Sequence, residues 1–226
     1  MFSCYQPVAD DRPIPADQPH LGAEDWGRLL LLAHTDRRRA FEEYCRYYLS
    51  TDGQLYWSDT HQLTTYLDGY HEDIDRHLHR PCPGSEVITE LYVPRARLAE
   101  LLARVAETLR ARRAAVIYGT VRLIERNTES FLAWAREPFA CVIFNLHVDH
   151  QPAALAAAAN TFRALIDLAI DAGGSFYLTY HRWATREQVE ACYPQFARWL
   201  TLQRQHDPTG RWQSDWLRHV RGLFHG

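Results

Sequence analysis

Glu90, Tyr118, Thr120, Arg122, Asn145, His147 and His181 carry most of the chemistry that this sequence offers. They lie in four apolar runs, "SEVITELYVP", "AAVIYGTVRLIE", "FACVIFNLHVD" and "SFYLTYH". Within each run they alternate with aliphatic or aromatic neighbours, and strand periodicity places them on one side of a sheet. Arg122 offers a fixed positive charge on a planar guanidinium. His181 offers an imidazole, whose ordinary titration near neutral pH suits a general base. Glu90 is a substrate contact or an ion-pair partner that orients Arg122 across the sheet. Tyr, Ile and Cys side chains stand between these polar groups, which is the mixture of a pocket wall or a domain contact. An ordinary solvated face is the competing reading. The run His147-Val148-Asp149-His150 has the residue types of a metal site, but alternation turns His150 to the other side, and no metal is expected.

The elements that must position these residues follow in a legible order. A strand over 85–94 closes at Pro94, and an amphipathic helix follows over 95–113. A strand over 114–125, a short helix at "TESFLAWA" and a strand over 139–149 come next. An Ala-rich helix over 152–174 has Pro152 at its start and Gly173–Gly174 at its stop, before a last strand over 175–181. This β-α-β-β-α-β order predicts an α+β, ferredoxin-like fold, a four-stranded antiparallel sheet with both helices on one face. Upstream, "FSCYQPV" reads as a strand with no preceding element to pair with. Helix is expected from about 24 to 49, with Tyr44, Tyr47 and Tyr48 as packing residues. A short aromatic strand is expected within 51–59, and a loop and short helix over 61–79. The linker "RPCPGS" separates an N-terminal helical region, 1–80, from the sheet domain, 81–186, and a C-terminal helical tail follows over 187–226.

Bulk properties exclude several classes. The net charge of −3 leaves no basic footprint for nucleic acid or an anionic membrane surface. All 25 basic residues are arginine, so no Schiff-base or P-loop lysine is available. Five scattered cysteines without a C-x-x-C pair read as reduced thiols. The N-terminus lacks a basic, apolar leader and no segment reads as a bilayer span, so a cytoplasmic location is expected.

The stretches "YGTVRLIE", "CVIFNLHV", "GGSFYLTYHRWATREQVEACYP" and "HDPTGRWQSDWLRH" resemble the C-terminal half of FAD-linked oxidases of the vanillyl-alcohol oxidase and aldonolactone oxidase superfamily. That resemblance implies a substrate, or cap, domain whose sheet lies over a flavin held by a separate FAD-binding domain. The chain has no G-x-G-x-x-G and no P-loop, so FAD would be bound mainly by a domain or subunit encoded upstream of this chain. Arg122 matches the arginine of the family's Glu-x-Arg, and Thr120 stands in place of its glutamate. "H-R-W-A-T" keeps Trp183 and Ala184 of a His-Trp-Ala-Lys stretch, with Thr185 for the lysine. These departures carry over flavin-linked oxidation of a small hydroxylated substrate better than lactone specificity. The roles implied are catalytic for Arg122 and His181, cofactor-binding for Thr120, Asn145, Arg182 and Trp183, and substrate-binding for Glu90, Tyr118 and His147. Asp207, Pro208 and Trp216 would meet the FAD-binding domain. The alternative class is a non-catalytic ferredoxin-like module that binds a ligand or protein on the same face.

Overall fold

The computed structural model describes residues 1–2, 4–57 and 67–225. The chain divides into two compact units, Met1–Pro81 and Cys82–Gly226. In the first, helix α1 spans Ala23–Thr35, α2 spans Arg37–Ser50 and α3 spans Tyr70–His77. The single helix expected over 24–49 is broken at Asp36, whose carboxylate accepts a hydrogen bond from Arg39 N (3.0 Å) and so starts α2 afresh. Tyr44 packs its ring against Trp26, Tyr47 and Tyr48. Residues 4–8 form no strand; Phe2, Tyr5 and Val8 are exposed, and Tyr5 meets Tyr48 and Tyr56 through its side chain. Residues 55–57 are not a strand either, and the rest of that expected element, with the start of the 61–79 segment, lies outside the described residues.

The second unit holds the sheet. Strand β1 spans Gly84–Pro94, α4 Leu98–Ala111, β2 Ala115–Ile124, β3 Phe139–Asp149, α5 Pro152–Asp171 and β4 Ser175–Phe176. Helices α6 (Arg186–Cys192), α7 (Phe196–His206) and α8 (Asp215–His225) follow. The strand order is β2-β3-β1-β4 with every neighbouring pair antiparallel, as the split βαββαβ connection requires. The fold is therefore α+β. Leu101, Val105 and Leu109 of α4 and Phe162, Leu165, Ile166 and Ala169 of α5 bury one sheet face with Leu91, Val93, Val142 and Leu146. The same core takes in Val189, Phe196, Leu200 and Leu217 from the last three helices. By length and composition α5 is apolar enough to cross a membrane, contrary to the sequence reading, but its apolar side is spent on this core.

Gly173 and Gly174 set the end of α5. Gly173 has φ +76°, a left-handed helix stop that favours glycine. A Cβ on Gly174 would lie 1.9 Å from the Tyr92 carbonyl oxygen, so only glycine lets the chain enter β4 beside β1. Two sequence expectations fail in this unit. "TESFLAWA" is not helical, because the Asn127 side chain accepts hydrogen bonds from Glu129 N and Ser130 N, and Gln195 and Ser175 side chains take the Phe131 and Trp134 carbonyls. The last strand ends at Phe176 instead of residue 181. Tyr177 N still donates to Glu90 O (3.0 Å), but the Leu178 carbonyl is taken by the Trp216 indole (2.8 Å) and the chain leaves the sheet.

Candidate active site

Strand register assembles the polar face. Glu86, Ile88, Glu90 and Tyr92 on β1 stand opposite His147, Asn145, Ile143 and Cys141 on β3. Tyr118, Thr120 and Arg122 on β2 stand opposite Asn145, Ile143 and Cys141 from the other side. Glu90, Tyr118, Thr120, Arg122, Asn145 and His147 therefore share one face, as alternation required. Thr120, Ile143 and Glu90 form one cross-strand row, and Arg122, Cys141 and Tyr92 form the next. A register shift between Val116 and Tyr118 precedes these β2 residues.

Glu90 does not pair with Arg122. Its carboxylate accepts hydrogen bonds from Tyr92 OH (2.7 Å), the Cys141 thiol (3.6 Å) and Tyr180 OH (3.2 Å). Arg122 is exposed and makes no ion pair or hydrogen bond among the described residues, which leaves its guanidinium available on this face. Its charge is nevertheless felt by Tyr118, Cys141 and Tyr180, whose ionised forms it favours. Burial, with Glu90 second, pushes the Cys141 thiol up to about 12, so it acts as a neutral donor. The Tyr92 and Tyr180 phenols are raised by burial first and by Glu90 next. Tyr118 is raised by burial and drawn down by the Asn145 amide and Arg122. The Asn145 side-chain oxygen is buried without a hydrogen-bond partner among the described residues.

His147 lies at the far end of the face. Its Nδ1 is 3.1 Å from Glu86 and its Nε2 3.1 Å from Asp149, so carboxylates grip the ring from both sides. Gly84 makes room for it, since a Cβ there would lie 2.2 Å from the imidazole.

The "YHRWAT" corner divides between the two faces. Tyr180 turns to the polar face, where its ring is 4.7 Å from Tyr177 and its hydroxyl reaches Glu90. His181 turns the opposite way, into the helix-side core, with Phe162 at 4.7 Å, Trp183 at 5.5 Å and Phe176 at 6.3 Å. It is 8% exposed, and burial lowers its pKa to about 4. Its Nδ1 accepts a long hydrogen bond from Trp183 N (3.4 Å). The placement of His181 on the polar face is thus corrected: a seven-residue strand would have carried it there, and β4 is too short to do so. Trp183 packs on Phe162 (4.9 Å), and its carbonyl accepts from Arg163 of α5 (2.7 Å). Arg182 is exposed. Thr185 caps α6, its hydroxyl accepting from Gln188 N (3.2 Å) while Gln188 Oε1 accepts from Thr185 N (3.1 Å). Asp207 and Trp216 act within the unit: the Asp207 carboxylate accepts from Arg211 N (2.8 Å) and Trp212 N (2.9 Å), and Trp216 packs on Phe196 and Trp199. Tyr180 was missed as a site residue because strand alternation to residue 181 put it on the wrong side.

The model of the D-arabinono-1,4-lactone oxidase family matches residues 38–220. The chain belongs to that family. The match runs through all four strands and the helix-side core, so the polar face lies wholly inside it. Membership supports an oxidase of the aldonolactone oxidase type. No curated protein sequence was found to match the chain.

Proposed function

We propose that this chain is the substrate-side, or cap, portion of an FAD-dependent oxidase acting on CH–OH donors, with FAD bound mainly by a domain or subunit outside these residues. The family match supports the oxidase class, and one observation supports the site: an unpaired arginine, Arg122, stands on a sheet face with an unpartnered buried amide oxygen, Asn145 Oδ1. A planar ring that gains negative charge on reduction suits the exposed guanidinium of Arg122. Thr120 and Tyr118 complete the hydrogen-bonding set on β2. The sequence holds no G-x-G-x-x-G and no P-loop, so the proposed fit is to the ring end of the cofactor. A bound flavin would supply the hydride acceptor for a C–H next to a hydroxyl. Arg122 would hold its charge toward the substrate oxygen or the reduced ring, an electrostatic role that needs no movement during reaction. The small hydroxylated substrate would meet Glu90, Tyr118 and His147, the His147 ring being held by the Glu86 and Asp149 carboxylates. A cytoplasmic location belongs to the same proposal.

The test is a visible spectrum of the purified chain, alone and co-expressed with the coding region upstream of it. The expected result is a flavin band in the co-expressed sample that bleaches anaerobically with an aldonolactone or a polyol. A co-purified flavoprotein that no hydroxylated compound bleaches would overturn the oxidase reading. Absence of flavin from both samples would favour the binding module.

A further inference from the structure

Oxidation of a CH–OH group releases a proton as well as a hydride, and the site must take both. The imidazole that composition suggested as base is on the other side of the sheet. The polar face carries a different acceptor. Glu90 Oε2 already accepts from Tyr92 OH and the Cys141 thiol, whereas Oε1 accepts from Tyr180 OH alone among the described residues (3.2 Å). Glu90 is half-buried, but Tyr180 is 45% exposed, so the phenol is the accessible end of the pair. Tyr177, its ring 4.7 Å away, holds the Tyr180 ring in place.

Resting on the function proposed above, we infer that Tyr180 and Glu90 form the proton-accepting relay of this site, with Tyr180 touching the substrate hydroxyl and Glu90 receiving the proton. As the substrate O–H bond breaks, its proton bonds to Tyr180 Oη, and the proton of Tyr180 passes to Glu90 Oε1. The carbon's hydride leaves with its electron pair to the flavin acceptor, and the C–O bond becomes C=O. Charge balances: the carboxylate is neutralised as the substrate loses one proton and one hydride. Tyr180 itself ends neutral, which suits a phenol that burial and Glu90 both hold in its protonated form. The shared row of Glu90 and Thr120 places the relay level with the β2 residues that lead to Arg122. Tyr92 and Cys141 are positioning residues, since they fix Oε2 and leave Oε1 to the relay.

Two readouts on the full chain separate this relay from the flavin reading. The first needs no cofactor: tyrosine ring-carbon NMR, with Tyr180 identified by its loss in Tyr180→Phe. In Glu90→Gln the Tyr180 resonance should titrate at lower pH than in the wild type; an unchanged titration overturns the coupling. The second is anaerobic flavin bleaching in the co-expressed assembly. Tyr180→Phe should slow bleaching about 10²–10⁴-fold, the range of general-base catalysis. Glu90→Gln should do the same, with retained thermal melting showing that both variants fold. Bleaching at the wild-type rate in Tyr180→Phe overturns the relay alone. A wild-type assembly that no hydroxylated compound bleaches overturns the oxidase reading and the relay with it.

Discussion

The two faces of the sheet use opposite means to hold their residues. On the helix side, Leu91, Val93, Phe162, Leu165 and Ile166 are almost wholly out of water, and position follows from close packing. On the polar face a small cluster of Tyr92, Ala135, Phe139, Cys141 and Ile143 gives way to hydrogen bonds around Glu90 and to an exposed Arg122. Residues on the first face answer to volume, and residues on the second to charge and proton position. The contrast sets what a substitution on each should change: stability on one side, chemistry on the other.

The largest effect belongs to the seam where α5 turns into β4. A methyl group on Gly174 would meet the Tyr92 carbonyl at 1.9 Å, a backbone atom that cannot rotate aside. Gly174→Ala is therefore expected to destabilise the fold by about 4 kcal/mol or more, read as a lower urea midpoint. Wild-type stability would show that β1 and the end of α5 can separate without loss.

His181 ties the helix side to pH. Its folded pKa of about 4 lies below the ordinary 6.5. The unfolded imidazole takes up a proton as pH falls through 6.5 while the folded one stays neutral, so stability is full above that value and declines toward pH 4. The decline amounts to about 3 kcal/mol. His181→Phe, which keeps an aromatic ring beside Phe162 and Phe176, should flatten that part of the stability profile. An equally steep profile in the variant would assign the acid sensitivity to other groups.

Arg122 tests the polar face. Its substitution by alanine should lower turnover of the co-expressed assembly about 10²-fold. The same change should alter stability by less than ~0.5 kcal/mol, because the side chain is exposed and unpaired. Loss of stability with retained turnover would reverse the assignment of chemistry to this face.

How far these faces were legible depends on how long each strand keeps its period. In β1, β2 and β3, paired over long antiparallel stretches, alternation alone placed Glu90, Tyr118, Thr120, Arg122, Asn145 and His147 together. In "SFYLTYH" the same alternation misled, because pairing stops at Phe176 and the later residues answer to tertiary contacts. A cue was present: Thr185 and Gln188 make a capping box, which needs the chain to have left the sheet before α6. The "TESFLAWA" segment misled for a local reason, since Asn127 offers its own carbonyl to the backbone and competes with helix. The pairing of Tyr180 with Glu90, ninety positions away in sequence, has no local signature at all.

The smallest expected effect tests where the helix layer stops. Helix α5 packs on β1, β3 and β4, and α4 on β1, while Val121 and Leu123 on the same side of β2 remain 42% and 60% exposed. Leu91 is fully buried and Leu123 is not, although both are strand leucines facing the helix side. Leu91→Ala should cost about 2–5 kcal/mol through lost transfer and the cavity left behind. Leu123→Ala should fall within ~0.5 kcal/mol of the wild type, because little area is removed from water at that position on folding. Equal losses in thermal melts of the two variants would mean that the outer half of β2 is covered in solution. The exposure of Arg122, one residue earlier on the same strand, would then need to be measured again before its charge could be assigned to a substrate.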